Sequence, residues 1–143
     1  MGISLINPLM SITIGATIVS VVAIAAGGTF LLRVVTGRKD TNDLQKSFFR
    51  AGHAHAGVLV SLGLLLAVLG NATGANPMWA DSGAIAVLLA AILMPAGFFL
   101  SVLGRNPARP NRMIVSLWLG ATLLVAGVLT SGLATLIAGI NRI

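Results

Sequence analysis

Residues 83–103 read GAIAVLLAAILMPAGFFLSVL, an apolar run without a single Asp, Glu, Lys or Arg. A helix needs about 20 mostly apolar residues to cross a bilayer, so this run predicts a transmembrane helix. Three more runs of the same kind occupy residues 9–32, 51–70 and 113–139. The sequence therefore predicts a single four-span domain over residues 1–143, an all-α integral membrane four-helix bundle.

The composition agrees with this assignment. Hydrophobic residues make up 57% of the 143 residues and charged residues only 8%, far from the average of soluble domains. The chain has no Cys, which excludes disulfides, thiolate catalysis and thiolate metal sites. The segment from Met1 to Pro8 has no Lys or Arg, so the first span is expected to stay in the membrane rather than to serve as a signal peptide.

The basic residues are divided unevenly between the loops. Eight of the nine lie in or beside the first and third loops: Arg33, Arg38, Lys39, Lys46, Arg50, Arg105, Arg109 and Arg112. The second loop, 71–82, has none, and the C-terminal tail has only Arg142. By the positive-inside rule the first and third loops are predicted to be cytoplasmic, with both termini outside. Because basic residues beside apolar helices are topology signals, no nucleic-acid partner is expected.

Two histidines, His53 and His55, are the only ionisable side chains inside a predicted span. A separation of two residues is about 200° around a helix, so the imidazoles point in nearly opposite directions and cannot chelate one metal ion as an i, i+4 pair would. They are aimed at two neighbouring helices or at one neighbour and the lipid. The simplest interpretation is a pair of interfacial histidines bonded to a loop carbonyl or to water.

The two histidines are nevertheless expected to differ in role. His53 shares its side of the helix with Gly57, which leaves space beside the ring, and lies toward Arg50. His55 lies on a face with larger apolar side chains, which indicates a packing contact or an oligomer contact. We therefore predict that His53 contributes more than His55 to ligand binding.

Residues 52–57, GHAHAG, resemble the His-x-His segment in one transmembrane helix of the catalytic subunit of haem-copper oxidases and nitric oxide reductases. In that family each imidazole of the pair faces a different haem. The match covers only this segment and the chain has no other His, so oxidase activity is not implied. The cofactor is left unknown, and the resemblance implies at most haem b, bound by either histidine with Met94 or Met113, or between two copies of the chain.

A wider resemblance covers residues 44–59 and the segment RPNR at residues 109–112. These stretches are similar to small uncharacterised four-helix membrane proteins of high-GC Gram-positive bacteria. The resemblance implies a multi-pass protein of the bacterial plasma membrane. It implies no activity.

Aromatic side chains are concentrated on the predicted cytoplasmic half. They are Phe30, Phe48, Phe49, Phe98, Phe99 and Trp118, and only Trp79 falls outside. An ordinary aromatic belt occupies both interfaces, so the asymmetry predicts an inner-leaflet site at which rings cover an apolar body while His and Arg meet an anionic or carbonyl head. The candidate cofactor-binding residues are His53, His55, Arg50, Gly57, Phe98, Trp118 and Arg112. The alternative is that the phenylalanines only fill space.

Small residues form stripes on three of the spans, and such stripes predict close packing of helix backbones. The stripe of the second span is Gly52, Ala56, Gly63, Ala67 and Gly70. That of the fourth span is Gly120, Gly127, Ser131, Ala134 and Ala138. That of the first span is Thr13, Ala16, Thr17, Ser20, Ala23 and Gly27.

Together these patterns predict a non-catalytic membrane binding or accessory subunit that holds a lipid-like or redox-cofactor ligand near the inner leaflet. The ligand classes considered are an anionic lipid, a quinone and haem. No catalytic residue is assigned, and whether a metal is bound is unknown. The expected partners are the lipid bilayer and either further copies of the chain in a homo-oligomer or a larger membrane complex. The alternative is a small transporter or channel whose pathway follows the hydroxyl groups of the first span. No Asp or Glu lies within a span, which weighs against a proton-coupled carrier.

Overall fold

The computed structural model describes residues 7–143, which form four α-helices and no strand. α1 spans Pro8–Val35, α2 Asp43–Ala72, α3 Pro77–Ser101 and α4 Ile114–Ile140. All four helices are long and apolar enough to cross a membrane. The predicted all-α transmembrane fold is therefore confirmed over this range. The first part of the predicted N-terminal tail, positions 1–6, lies outside the described residues.

Local caps rather than hydropathy set where two of the helices begin. The Asn42 side chain accepts a hydrogen bond from the backbone N–H of Gln45, whose side chain accepts one from the Asn42 N–H in return. α2 therefore begins at Asp43, well before the apolar run that predicted it. Asn76 caps α3, and Pro77 occupies its first turn, where a missing N–H costs nothing. The Asn-Pro pair thus starts α3 at Pro77, ahead of the apolar run that begins at Gly83.

The helices alternate in direction, which places their loops at two ends. The loops at 36–42 and 102–113 meet at what we call the basic end, where Gln45 donates to the carbonyl of Val102 at 3.0 Å. The second loop and the start of α1 lie at the opposite end, where Asn7 donates to the carboxylate of Asp81 at 2.7 Å. That the basic end faces the cytoplasm stays a prediction.

α3 is the central helix of the bundle. It packs against α2 on one side and α4 on the other, and 44% of its most apolar stretch is buried. α1 packs mainly against α2, and only 6% of its corresponding stretch is buried. The helices thus follow one another as an open row, with α1 as the least enclosed member.

The small-residue stripes of α2 and α4 both face α3. A Cβ added at Gly70 of α2 would lie 2.7 Å from the Cβ of Ala80. A Cβ added at Gly120 of α4 would lie 2.8 Å from the backbone nitrogen of Met94. Side chains at these positions would hold the helices apart, so the predicted role of the two stripes in close packing is confirmed.

The stripe of α1 behaves differently. Ala16, Ser20 and Ala23 are exposed, and Thr13 is only half-buried. Near the basic end Gly27 does lie against α2, next to His53. Within the chain, the close packing predicted for this stripe is therefore present only near the basic end, because α1 contacts α2 along a different line through Met10, Ile24 and Val34.

Candidate functional site

His53 lies in the seam between α1 and α2. Its half-buried ring rests on two adjacent glycines of α1, so that a Cβ added at Gly28 would be 3.6 Å from Cε1 and Nε2. One added at Gly27 would be 3.7 Å from Nδ1. Because neither glycine has a side chain, the imidazole reaches the α1 backbone. Its nitrogens make no hydrogen bond within residues 7–143, and neither is sealed from the surface.

Open space continues along the same side of α2. A Cβ added at Gly57, one turn beyond His53, would meet nothing within 4 Å. The gap expected beside His53 is therefore present. Arg50, one turn in the other direction, is exposed. A ligand approaching this seam would meet an imidazole with two unused nitrogens and, nearer the basic end, a guanidinium group.

His55 faces the other way and is held more tightly. Its Nδ1 lies 2.8 Å from the carbonyl oxygen of Ala51 in the preceding turn. Since a carbonyl can only accept, Nδ1 carries the hydrogen. The ring centroid is 5.0 Å from that of Phe98 on α3.

The directions of the two histidines were predicted in part. They point toward two different neighbouring helices, α1 for His53 and α3 for His55, as the spacing of two residues requires. Of the two interpretations of His55, the packing contact is the one that the structure contains, because the Phe98 ring of the same chain lies beside it. The carbonyl that binds His55 belongs to its own helix and not to a loop.

The phenylalanines form one cluster at the basic end of the bundle. Its members are Phe30, Phe48, Phe49, Phe98 and Phe99. Phe49 is buried at its centre, with its ring centroid 5.4 Å from that of Phe30 on α1 and 5.3 Å from that of Phe99 on α3. The rings fill the space among α1, α2 and α3, which favours the packing interpretation for most of them.

Trp118 and Arg112 do not join this cluster. Trp118 is 66% exposed on α4, and Arg112 is exposed in the loop before that helix. α4 packs against α3 and touches α2 only slightly, so neither side chain reaches the seam that holds His53. Their predicted place in one site with the histidines stays a prediction.

The buried side-chain amide of Gln45 connects the start of α2 to the loop that follows α3. The Nε2 group of Gln45 donates to the carbonyls of Val102 and Gly104 at 3.0 and 3.1 Å. Asn42, which shares the α2 cap with Gln45, donates to the carbonyl of Pro107 at 2.8 Å. The start of α2 is thereby fixed to the loop that follows α3, which holds the basic residues of both loops close to one another.

These basic residues are nearly free of internal ion pairs. Within residues 7–143 one salt bridge occurs, between Lys46 Nζ and Asp43 Oδ1 at 3.4 Å, and it is exposed. Such a pair contributes little to stability. The arginines of the basic end therefore remain available to anionic groups from outside the chain.

Four clefts stand out in the described part of the chain, and neither histidine lines any of them. One of about 350 Å³ runs beside Thr13, Thr17 and Ser20 of α1 and is otherwise apolar. The three hydroxyls donate to carbonyls of their own helix at 3.0, 2.7 and 2.7 Å. With their hydrogens used in this way, these groups give little support to a polar pathway along α1.

A comparison with protein-family models, with curated proteins and with solved structures gave no match. Function is therefore argued from the geometry of this chain alone.

Sequence reasoning missed the partner of His53. Gly27 was assigned to a packing stripe, but its neighbour Gly28 was given no role, although both contact the imidazole. Two adjacent glycines near the basic end of one span, at the same depth as a histidine in the next, are the signal that could have found the pair. The cleft beside Trp79 at the opposite end left no comparable signal in the sequence.

Proposed function

We propose that this protein is a non-catalytic binding or accessory subunit of a bacterial plasma membrane, which holds an amphiphilic ligand at the basic end, in the inner leaflet. The observation that carries the proposal is the state of His53. It is an imidazole inside a predicted span, in contact with two glycines, and its nitrogens have no partner among residues 7–143. Polar groups within a bilayer are costly unless they are used, and they mark binding sites more often than packing sites.

The surroundings of His53 indicate the kind of ligand. Beside the imidazole the seam offers open space at Gly57, which suits a flat or chain-like apolar body. Arg50 supplies a positive charge one turn away, toward the aqueous boundary. An anionic lipid or a quinone fits this arrangement, because its head can accept a hydrogen bond from the imidazole while its body lies along the seam.

Haem b is the second ligand that we consider, and it would require a second axial ligand. Met94 is buried against Gly120 on the α4 side of α3, whereas His53 points to α1. The two cannot lie on opposite faces of one macrocycle within the chain. We favour a haem held between two copies, with one histidine from each, over the pairs that use His55 or Met113.

The experiment is to purify the protein in a mild detergent and to identify what remains bound by mass spectrometry and absorbance. His53→Ala is expected to reduce ligand retention about fivefold, the value of one net hydrogen bond, and His53→Gln to restore part of it. His55→Ala is the matched control, since it removes an imidazole two positions away that contacts only its own chain.

Two results would count against the proposal. Equal retention in wild type and His53→Ala would show that the imidazole does not contact the ligand. Loss in His55→Ala with no change in His53→Ala would show that the binding face of α2 is the one toward α3. Absence of a Soret band after haem supplementation would exclude haem as the ligand, and an anionic lipid or a quinone would remain as the candidates.

A further inference from the structure

A groove of about 680 Å³ lies at the opposite end of the bundle, between the first turn of α3 and the last turns of α4. Its floor is apolar and consists largely of Leu129, Leu133 and Ile137. Its rim, next to the second loop, is polar and carries Asn76 and Asn141. The groove is thus amphipathic along its length, and it is distant from His53 at the basic end.

The length of the groove matches one leaflet of a bilayer. Between Leu129 and Asn141 a helix rises about 18 Å, at about 1.5 Å per residue. Half of the hydrocarbon core of a bilayer is about 15 Å thick. The groove therefore extends from the polar surface to about the midplane, which is the depth occupied by one lipid acyl chain.

A positive charge lies next to the rim, beside Gly74. The guanidinium of Arg142 lies over the second loop, so close that a Cβ added at Gly74 would be 2.6 Å from Nη2. Arg142 has no ion pair within residues 7–143, and Asp81, the acidic residue at this end, is bonded to Asn7 instead. Trp79, 59% exposed at the same rim, adds an indole N–H donor and a ring suited to the headgroup region.

We propose that this groove binds an anionic phospholipid from the leaflet at the opposite end of the bundle. One acyl chain lies along Leu129, Leu133 and Ile137, and the phosphate group is placed beside Arg142 and the indole of Trp79. We choose an anionic lipid because its charge is complementary to that of Arg142. We choose a lipid rather than a partner helix because the length of the groove matches the thickness of one leaflet. The proposal is independent of the ligand proposed for His53.

Trp79 allows the site to be tested locally. The chain has two tryptophans, so Trp118→Phe leaves Trp79 as the sole fluorophore. The full chain is reconstituted with brominated phosphatidylglycerol or brominated phosphatidylcholine at equal mole fraction. One arginine near the surface gives an expected preference of about fivefold for the anionic lipid, measured as quenching of Trp79. Arg142→Gln should reduce this preference to near unity.

Two further variants test the acyl-chain groove. Ala138→Leu adds a side chain to a groove residue and should weaken quenching by both lipids, whereas Gly139→Leu should not, because a Cβ there meets nothing within 4 Å. In Trp79→Phe, quenching of Trp118 should not respond to Arg142→Gln. Equal quenching by the two lipids in the parent protein would overturn the proposal. Unchanged quenching of Trp79 in Ala138→Leu would also overturn it. Weak quenching that varies with protein density would overturn it as well, because it would indicate that a second copy of the chain occupies the groove.

Discussion

The contact between α3 and α4 predicts a large loss of stability for Gly83→Ala. A methyl group at this position would fall on Ser131 Oγ, and it would lie 2.7 Å from the carbonyl oxygen of Gly127 and 2.8 Å from the backbone nitrogen of Ser131. Two of these three atoms belong to the backbone of α4 and cannot rotate away. The strain can be relieved only if the two helices separate.

The magnitude follows from the contacts that such a separation would affect. Overpacking of a tight site costs about 1–3 kcal/mol. Movement of α4 would also break the bond from Ser131 Oγ to the carbonyl of Ala80, now 3.2 Å long. A hydrogen bond between membrane helices contributes about 0.6 kcal/mol on average. We therefore expect Gly83→Ala to lower the free energy of unfolding by about 2–4 kcal/mol.

Reversible unfolding in mixed micelles with increasing sodium dodecyl sulfate, followed by circular dichroism, would measure this change. Gly132→Ala is the matched control, because Gly132 adjoins Ser131 on α4 and a Cβ there would meet nothing within 4 Å. Its effect should be within about 0.5 kcal/mol of zero. A Gly83→Ala variant as stable as Gly132→Ala would refute the reasoning, since it would mean that the two backbones do not approach as closely as described.

Two other predictions concern the basic end. A reporter active only in the cytoplasm should work when inserted at Arg38 or Ala108 and fail at Ala75, and a reversed pattern would overturn both the orientation and the inner-leaflet location of the proposed ligand. Gln45→Ala should lower the free energy of unfolding in the same micelle assay by about 1–3 kcal/mol, because two loop carbonyls lose their donor. Asn71→Ala is the control, since the Asn71 side chain bonds only within its own helix, and an equal loss in both variants would contradict a fastening role for Gln45.

Much of the candidate site could be predicted because it depends on positions along a single helix. The opposed directions of His53 and His55 follow from the helical period alone. The cap at Asn42 and Gln45 is likewise a local pattern, three residues apart, and the structure contains it. Contacts between helices were predicted less well, as the contact between Gly28 of α1 and His53 of α2 shows.

The sequence by itself determined the four spans, the two ends to which the loops belong and the faces on which α2 and α4 present their small residues. Hydropathy and the fixed period of the helix are sufficient for these features. Only the tertiary structure decided that α3 lies at the centre, that α1 is left exposed, and that Gly27 and Gly28 contact His53 while Phe98 covers His55. In a bilayer the lipid is as apolar as the protein interior, so hydrophobicity does not identify an inward face. The neighbours of each helix are selected by the fit of side chains against backbone, and that fit exists only between folded helices.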